Sequence, residues 1–234
     1  MVLAAGRGLR LRPLTEHTPK PLVQVAGRAL LDHALDLLVA ADVREIVVNA
    51  HHLAEQIERH MAAFARRHPM LTIHVSREVE LLETGGGVLK ALPWLGAEPF
   101  FVLNSDVIVR DGASPALARL AERFDPRSMD ALLLLQPVER AFGYDGAGDY
   151  AIDREGRLTS RGDRPSAPFV FTGTQILTPR LFSGERGGAF SLKRLYDRAE
   201  AAGRLFGLVH DGAWLHVGTP SALADAERTL HSAP

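Results

Sequence analysis

The chain has 234 residues, with 27 basic and 28 acidic side chains for a formal net charge of −1, no cysteine and 46% hydrophobic residues. That length suits one domain, 1–234, large enough to bury a substantial core. The balanced charge excludes a general nucleic-acid or anionic-membrane binder, which needs a basic surplus, and the missing cysteines exclude disulfides, zinc thiolates and a thiol nucleophile.

The first five residues are apolar but meet Gly6 and Arg7 at once, without the basic region and long apolar stretch of a signal peptide. Apolar runs such as 131–135 fall far short of the roughly 18 to 20 residues a membrane-spanning helix needs. A cytoplasmic protein without membrane contact is expected. Short, largely β-branched runs predict strands at 2–5, 45–49, 71–76 and 100–103. Between them, Leu31, Leu35 and Leu38 share one face of a helix over 30–41, and Leu53, Ile57, Met61 and Phe64 share one face of a helix over 53–66. This alternation predicts an α/β fold, a Rossmann-like doubly wound sheet that is mainly parallel, with ligand at the carboxyl ends of the strands. The second half is less regular: a strand at 131–135, a hairpin over 150–160 turning at Glu155 and Gly156, short strands at 169–171 and 175–177, and helices at 192–202 and 220–230. Residues 142–148 and 161–168 read as loops.

After the first strand the chain reads Leu3-Ala4-Ala5-Gly6-Arg7-Gly8-Leu9-Arg10, and then Thr18-Pro19-Lys20-Pro21-Leu22. Glycines after a buried strand let the backbone turn tightly and present N–H groups to an anion. Alone, they read more readily as a glycine turn beside solvated arginines. A Walker loop is absent, and Leu11 stands where a dinucleotide fingerprint needs its third glycine. Only Lys20, Lys90 and Lys193 are lysines, so a lysine in this loop is conspicuous.

The whole string resembles the signature of the sugar-1-phosphate nucleotidylyltransferases, A-A-G-x-G-x-R followed by P-L-T and P-K-P-L. The resemblance implies a nucleotide-diphospho-sugar transferase fold with an inserted β-rich sugar-binding flap. It also implies that Leu3, Ala4, Ala5, Gly6, Arg7 and Gly8 hold the nucleotide while Arg10 and Lys20 contact phosphates as the catalytic cations. The chemistry agrees, because phosphoryl-type transfer rests on positioning and charge neutralisation.

Further along, Glu83-Thr84-Gly85-Gly86-Gly87 precedes a helical stretch at 89–92. On composition it is a flexible connector or a ligand turn. By resemblance Thr84, Gly85 and Gly86 face the base and ribose, and the wording is closest to the branch of the family that acts on N-acetylmuramate 1-phosphate and mannose 1-phosphate. Asp106 ends the strand at 100–103 in a Ser105-Asp106 pair where the family has Gly-Asp; it is either a turn cap or the Mg²⁺ carboxylate. Trp214-Leu215-His216-Val217-Gly218-Thr219-Pro220 resembles a W-x-D-x-G-T-P segment, with His216 in place of the second metal-binding aspartate. Mg²⁺ is the expected ion, with Mn²⁺ or Co²⁺ as alternatives because imidazole suits them better.

For the sugar phosphate, the resemblance points to Asn104, Gly143, Thr172 and Gly173, with Arg164 standing near a usual lysine and Lys193 opening a nearby helix. Arg164 with Asp163 reads equally as a solvated loop pair, and Lys90 as a surface residue. His51 and His52 lack metal-site spacing and read as packing. The reaction implied joins a nucleoside triphosphate to a sugar 1-phosphate, expelling pyrophosphate. UTP with N-acetylmuramate α-1-phosphate comes first and GTP with mannose 1-phosphate second, with a non-catalytic nucleotide-sugar binding protein as the rival of another class. The expected partners are these small molecules, with the chain a monomer or homodimer.

Overall fold

The computed structural model describes residues 1–232. The chain begins with β1 (Val2–Leu3), crosses a long loop to the small hairpin β2 (Gln24–Val25) and β3 (Arg28–Ala29), and enters α1 (Leu30–Ala40). It continues through β4 (Glu45–Ala50), α2 (Ala54–Arg67), β5 (Thr72–Arg77), α3 (Glu83–Leu95) and β6 (Phe100–Asn104). β1 pairs in parallel with β4 on one side and β6 on the other, and β4 pairs in parallel with β5. The strand order therefore reverses at β1. In an open α/β sheet this switch point opens a crevice at the carboxyl ends of the strands, which here are Leu3 and Asn104.

β4 is buried on both faces. Ile46 and Val48 join Leu31, Leu35, Ile57, Met61 and Phe64 under α1 and α2, while Val47 joins Val88 and Ala91 of α3 on the opposite face. A run of consecutive β-branched residues suits such a doubly covered strand. Each large side chain buried here stabilises the sheet by about 1.5–3 kcal/mol.

Beyond β6 come β7 (Val107–Arg110), α4 (Ala116–Arg123), β8 (Ala131–Pro137), β9 (Ala141–Phe142), β10 (Tyr150–Ile152), β11 (Leu158–Ser160) and β12 (Phe169–Leu177). The chain ends through α5 (Lys193–Ala201), β13 (Leu205–Val209), β14 (Ala213–His216) and α6 (Pro220–Ser232). β12 runs antiparallel to both β6 and β8, and β13 runs parallel to β8, so the sheet is mixed. The β10–β11 hairpin hangs from the Phe169 end of β12 as a flap.

Two expectations change, and one element is new. The strands at 169–171 and 175–177 are one element, interrupted by a register shift between Phe171 and Gln175 where Gly173 adopts φ +83°. α3 starts at Glu83, so its glycines lie inside a helix and not ahead of one. A separate sheet of order β7-β14-β9 presents His216 next to the strand that follows Asp106. Among the described residues no helix is long and apolar enough to cross a membrane.

Candidate functional site

The glycine loop is shaped by what it must pass. Ala4 N–H donates to Asn49 Oδ1 (2.7 Å), which fixes the chain as it leaves β1. Gly8 adopts φ +62°, and a Cβ there would lie 2.8 Å from Lys20 Cβ and 3.0 Å from Thr15 Cγ2. Only glycine lets the loop close this tightly. Its carbonyl accepts from Leu11 N–H (3.0 Å) and Thr15 Oγ1 (2.8 Å), which brings Lys20 back alongside the turn. Gly6 and Arg7 are exposed, with open space where a Gly6 side chain would project. His52 Nε2 meets Thr15 O and His51 Nδ1 meets Glu78 O, each at 3.1 Å, so both histidines brace loops.

Lys20 Nζ donates to Asp106 Oδ2 at 2.7 Å across the switch point. Ser105 turns inward, its hydroxyl donating to Leu3 O (2.7 Å) and locking the two strand ends together. The serine is thus a structural brace. Val217 N–H donates to Asp106 O (3.0 Å), and His216 faces Val107 across the strand pair, so both candidate metal-binding residues sit on adjoining backbone. Arg10 is exposed, its Nη2 lying 3.3 Å from where a Gly218 Cβ would be, on the same side as His216.

His216 stacks on Trp214 (5.9 Å, 5°) and its Nδ1 lies 3.3 Å from Gly143 O. Burial holds its imidazole below the ordinary histidine range, with nearby Asp106 opposing and Lys20 and Arg10 reinforcing the shift. A neutral ring that donates from Nδ1 to Gly143 keeps a lone pair on Nε2. Asp106 and His216 line one recess of about 180 Å³. Among the described residues no three or more His, Cys, Asp or Glu side chains converge as a metal site. One carboxylate and one imidazole fit a divalent cation that takes its remaining ligands from phosphate oxygens and water.

The second glycine run packs against the segment before α5. Gly85 and Gly86 donate their N–H groups to Phe190 O (2.8 and 3.2 Å). A Cβ on Gly85 would fall 2.2 Å from the Phe190 ring, and one on Gly86 would fall 2.2 Å from Gly188 O. The 188–190 segment packs against both positions and leaves no room for a side chain at either. Thr84 keeps its place beside the cleft, although its hydroxyl accepts from Leu192 N–H (2.9 Å). Leu81, Glu83, Thr84 and Ser191 face Leu3, Ala5 and Gly6 across a cleft of about 320 Å³. Gly85→Ala is expected to destabilise by about 1–3 kcal/mol through overpacking, read as a lower thermal midpoint. An unchanged midpoint would show that Phe190 yields freely.

Two residues that the motifs do not reach hold this arrangement together. Buried Glu78 accepts from Asn49 Nδ2 (2.7 Å) and from Leu82 N–H (3.0 Å), while Asn49 itself holds Ala4. One carboxylate and one amide thereby connect the glycine loop, the ends of β4 and β5, and the start of α3. Gly87 is needed beneath them, since a Cβ would sit 2.8 Å from Asn49 Nδ2 and 2.9 Å from Glu78 Oε1.

A larger cavity of about 380 Å³ lies beyond Thr84 and Ser191, and Asn104 borders both it and the Asp106 recess. Gly173 lies under Asn104, where a Cβ would come within 2.7 Å of its amide. Lys193 lines this cavity at the start of α5, its ammonium paired with Asp197 (2.7 and 2.9 Å). Thr172 borders the Asp106 recess, is fully buried, and its hydroxyl donates to Leu134 O (2.9 Å), which ties it to the neighbouring strand. Gly143 lies behind His216, with space for no side chain (2.5 Å to His216 O), and braces that ring. Arg164 folds back onto Ser160 O and Arg161 O, while Arg161 lines the cavity in its stead. Lys90 donates to Arg77 O at the surface.

The family model described as "Nucleotidyl transferase" matches residues 1–233. The chain is 42% identical over 234 residues to the N-acetylmuramate alpha-1-phosphate uridylyltransferase of Caulobacter vibrioides, covering 100% of this chain and 97% of the relative. It is 33% identical over 232 residues to the protein of that name from Neisseria meningitidis serogroup B, covering 97% and 96%. In fold it is similar to a UDP-glucose pyrophosphorylase solved with UDP-glucose, with a TM-score of 0.78, 17% identity and coverage of 98% and 97%. With the glycine loop, the Lys20–Asp106 pair and the switch-point crevice in one place, the chain belongs to the nucleotidyl transferase family.

Proposed function

We propose that the chain transfers UMP from UTP to N-acetylmuramate α-1-phosphate, releasing pyrophosphate. The carrying observation is the Lys20–Asp106 pair at 2.7 Å, with Asp106 lining a recess that shares Asn104 with the larger cavity. The identity of 42% to a relative named for this reaction, along the whole chain, supports the choice of base and sugar.

In this reading the triphosphate lies along Gly6 to Gly8 and the sugar phosphate enters from the larger cavity. A phosphate oxygen of the sugar forms a bond to the α-phosphorus in line, the α–β bridging bond breaks, and its electron pair leaves with pyrophosphate. The attacking phosphate is already ionised at neutral pH, so no side chain needs to remove a proton. Arg10 and Lys20 screen the repulsion between the two anions and hold them in line. Family members generally use a divalent cation, and Asp106 with His216 would hold it here. When bound, such an ion neutralises charge developing on the phosphate oxygens.

A panel of nucleoside triphosphates against sugar 1-phosphates, read by released pyrophosphate, tests the assignment. The highest kcat/KM is expected for UTP with N-acetylmuramate α-1-phosphate. A higher value for GTP with mannose 1-phosphate would replace that pair, and no release from any pair would overturn catalysis in favour of binding alone.

A further inference from the structure

The motifs do not single out Arg161, yet it stands on the wall of the 380 Å³ cavity. Its Nε donates to Gly148 O and its Nη1 to Arg164 O, both at 3.0 Å, so the guanidinium is held in one orientation by backbone carbonyls. Among the described residues it pairs with no carboxylate, and Nη2 has no partner. One acid, Asp149, lines the same cavity; its Oδ2 accepts from Phe171 N–H (2.9 Å) and it forms no ion pair with Arg161. A half-buried arginine fixed by its own backbone contacts is preorganised for an anion, because little side-chain freedom remains to be lost.

A second observation on the same wall also points to a ligand. Gln175 is 1% exposed and lines the cavity; its Oε1 accepts from Tyr196 Oη (2.6 Å), but its Nε2 has no partner among the described residues. A buried amide donor left unpaired is costly, and on a cavity wall an acceptor carried by a ligand would satisfy it. Phe171 and Tyr196, edge to face at 5.9 Å, together with Leu192 give the cavity an apolar floor suited to methyl groups. A guanidinium with one open N–H group, an unpaired amide and an apolar floor together match a sugar bearing a short substituent with a methyl and a carboxylate.

We propose that Arg161 is a specificity-determining residue: it pairs with a carboxylate carried on the sugar itself, while Gln175 Nε2 donates to a carbonyl of the sugar's substituents. The substrate class is then an acidic sugar phosphate bearing two anions. Its phosphate faces Lys20 and Arg10 and its carboxylate faces Arg161. This inference rests on the function proposed above and assigns the part of the site that separates acidic sugars from neutral ones.

The test compares N-acetylmuramate 1-phosphate with N-acetylglucosamine 1-phosphate, which lacks only the lactyl group, using the full chain and UTP. Wild type is expected to favour the acidic sugar. Arg161→Gln is expected to lower kcat/KM for the acidic sugar by about 10- to 100-fold, mostly through KM, and to leave the neutral sugar within about twofold. Arg161→Lys should recover part of the loss. Equal losses for both sugars would assign Arg161 to the phosphate or to loop structure and overturn the proposal, as would no loss for either. Gln175→Glu, which keeps the acceptor for Tyr196 Oη but removes the amide donor, is expected to weaken both sugars about tenfold, since both carry the N-acetyl group. Calorimetric binding of the two sugar phosphates to wild type and Arg161→Gln separates the two levels of failure. Selective loss of acidic-sugar binding without turnover would sink the reaction and keep the subsite, whereas turnover with equal binding would do the reverse.

Discussion

Lys20→Ala is expected to lower kcat by about 10²- to 10³-fold while shifting the thermal midpoint by only a few degrees. The reaction brings two anions together without general-base chemistry, so its barrier is set by charge repulsion and alignment. A cation fixed at the meeting point acts on both. Lys20 is suited to this because its side chain is only 11% exposed while Asp106 holds its ammonium at 2.7 Å. The stability cost is small for reasons visible in the loop. Alanine keeps the Cβ that packs against Gly8, and Asp106, 31% exposed, can be solvated when its partner goes. Lys20→Arg restores the charge but not the compact ammonium, and only partial recovery is expected. Pyrophosphate release at the wild-type rate from a folded Lys20→Ala protein would remove Lys20 from the machinery.

The parts of the site that could be read from the sequence are those whose residues are neighbours in the chain. Leu3 to Lys20 is one continuous segment, and the strand before Asp106 and the segment around His216 are each short runs with a recognisable pattern. What could not be read depends on contacts between distant residues. Gly85 and Phe190 are more than a hundred positions apart, and nothing local to Gly85-Gly86-Gly87 says that an aromatic ring and a carbonyl will occupy their faces. Glu78 and Asn49 meet only because β4 and β5 pair in register, Asn49 opposite Ser76. The choice between Arg161 and Arg164 was equally hidden. Both occupy one polar loop, and only its folded path turns Arg164 onto the backbone and Arg161 toward the cavity. The split reading of β12 has a similar cause, since the irregularity at Gly173 that interrupts the apolar pattern also places Asn104 above the strand.

Asp106→Ala is expected to reduce turnover by about 10³-fold or more in any divalent ion, and His216→Asp to change which ion works best. The two residues share a recess but differ in hardness. A carboxylate serves Mg²⁺ and Mn²⁺ alike, whereas an imidazole favours Mn²⁺ or Co²⁺ over Mg²⁺. Removing Asp106 takes away the carboxylate proposed to hold the ion and releases Lys20 from its partner, so two functions are expected to fail together. Replacing His216 by aspartate substitutes a hard oxygen on the same strand, and the ratio of turnover in Mg²⁺ to that in Mn²⁺ is expected to rise by about tenfold. A chelator should abolish wild-type turnover, with recovery on addition of Mn²⁺ or Mg²⁺. An unchanged ion ratio in His216→Asp would reduce His216 to a ring stacked on Trp214. If instead wild type were inactive in every ion and the aspartate variant active, the histidine would mark a chain that binds these ligands without joining them.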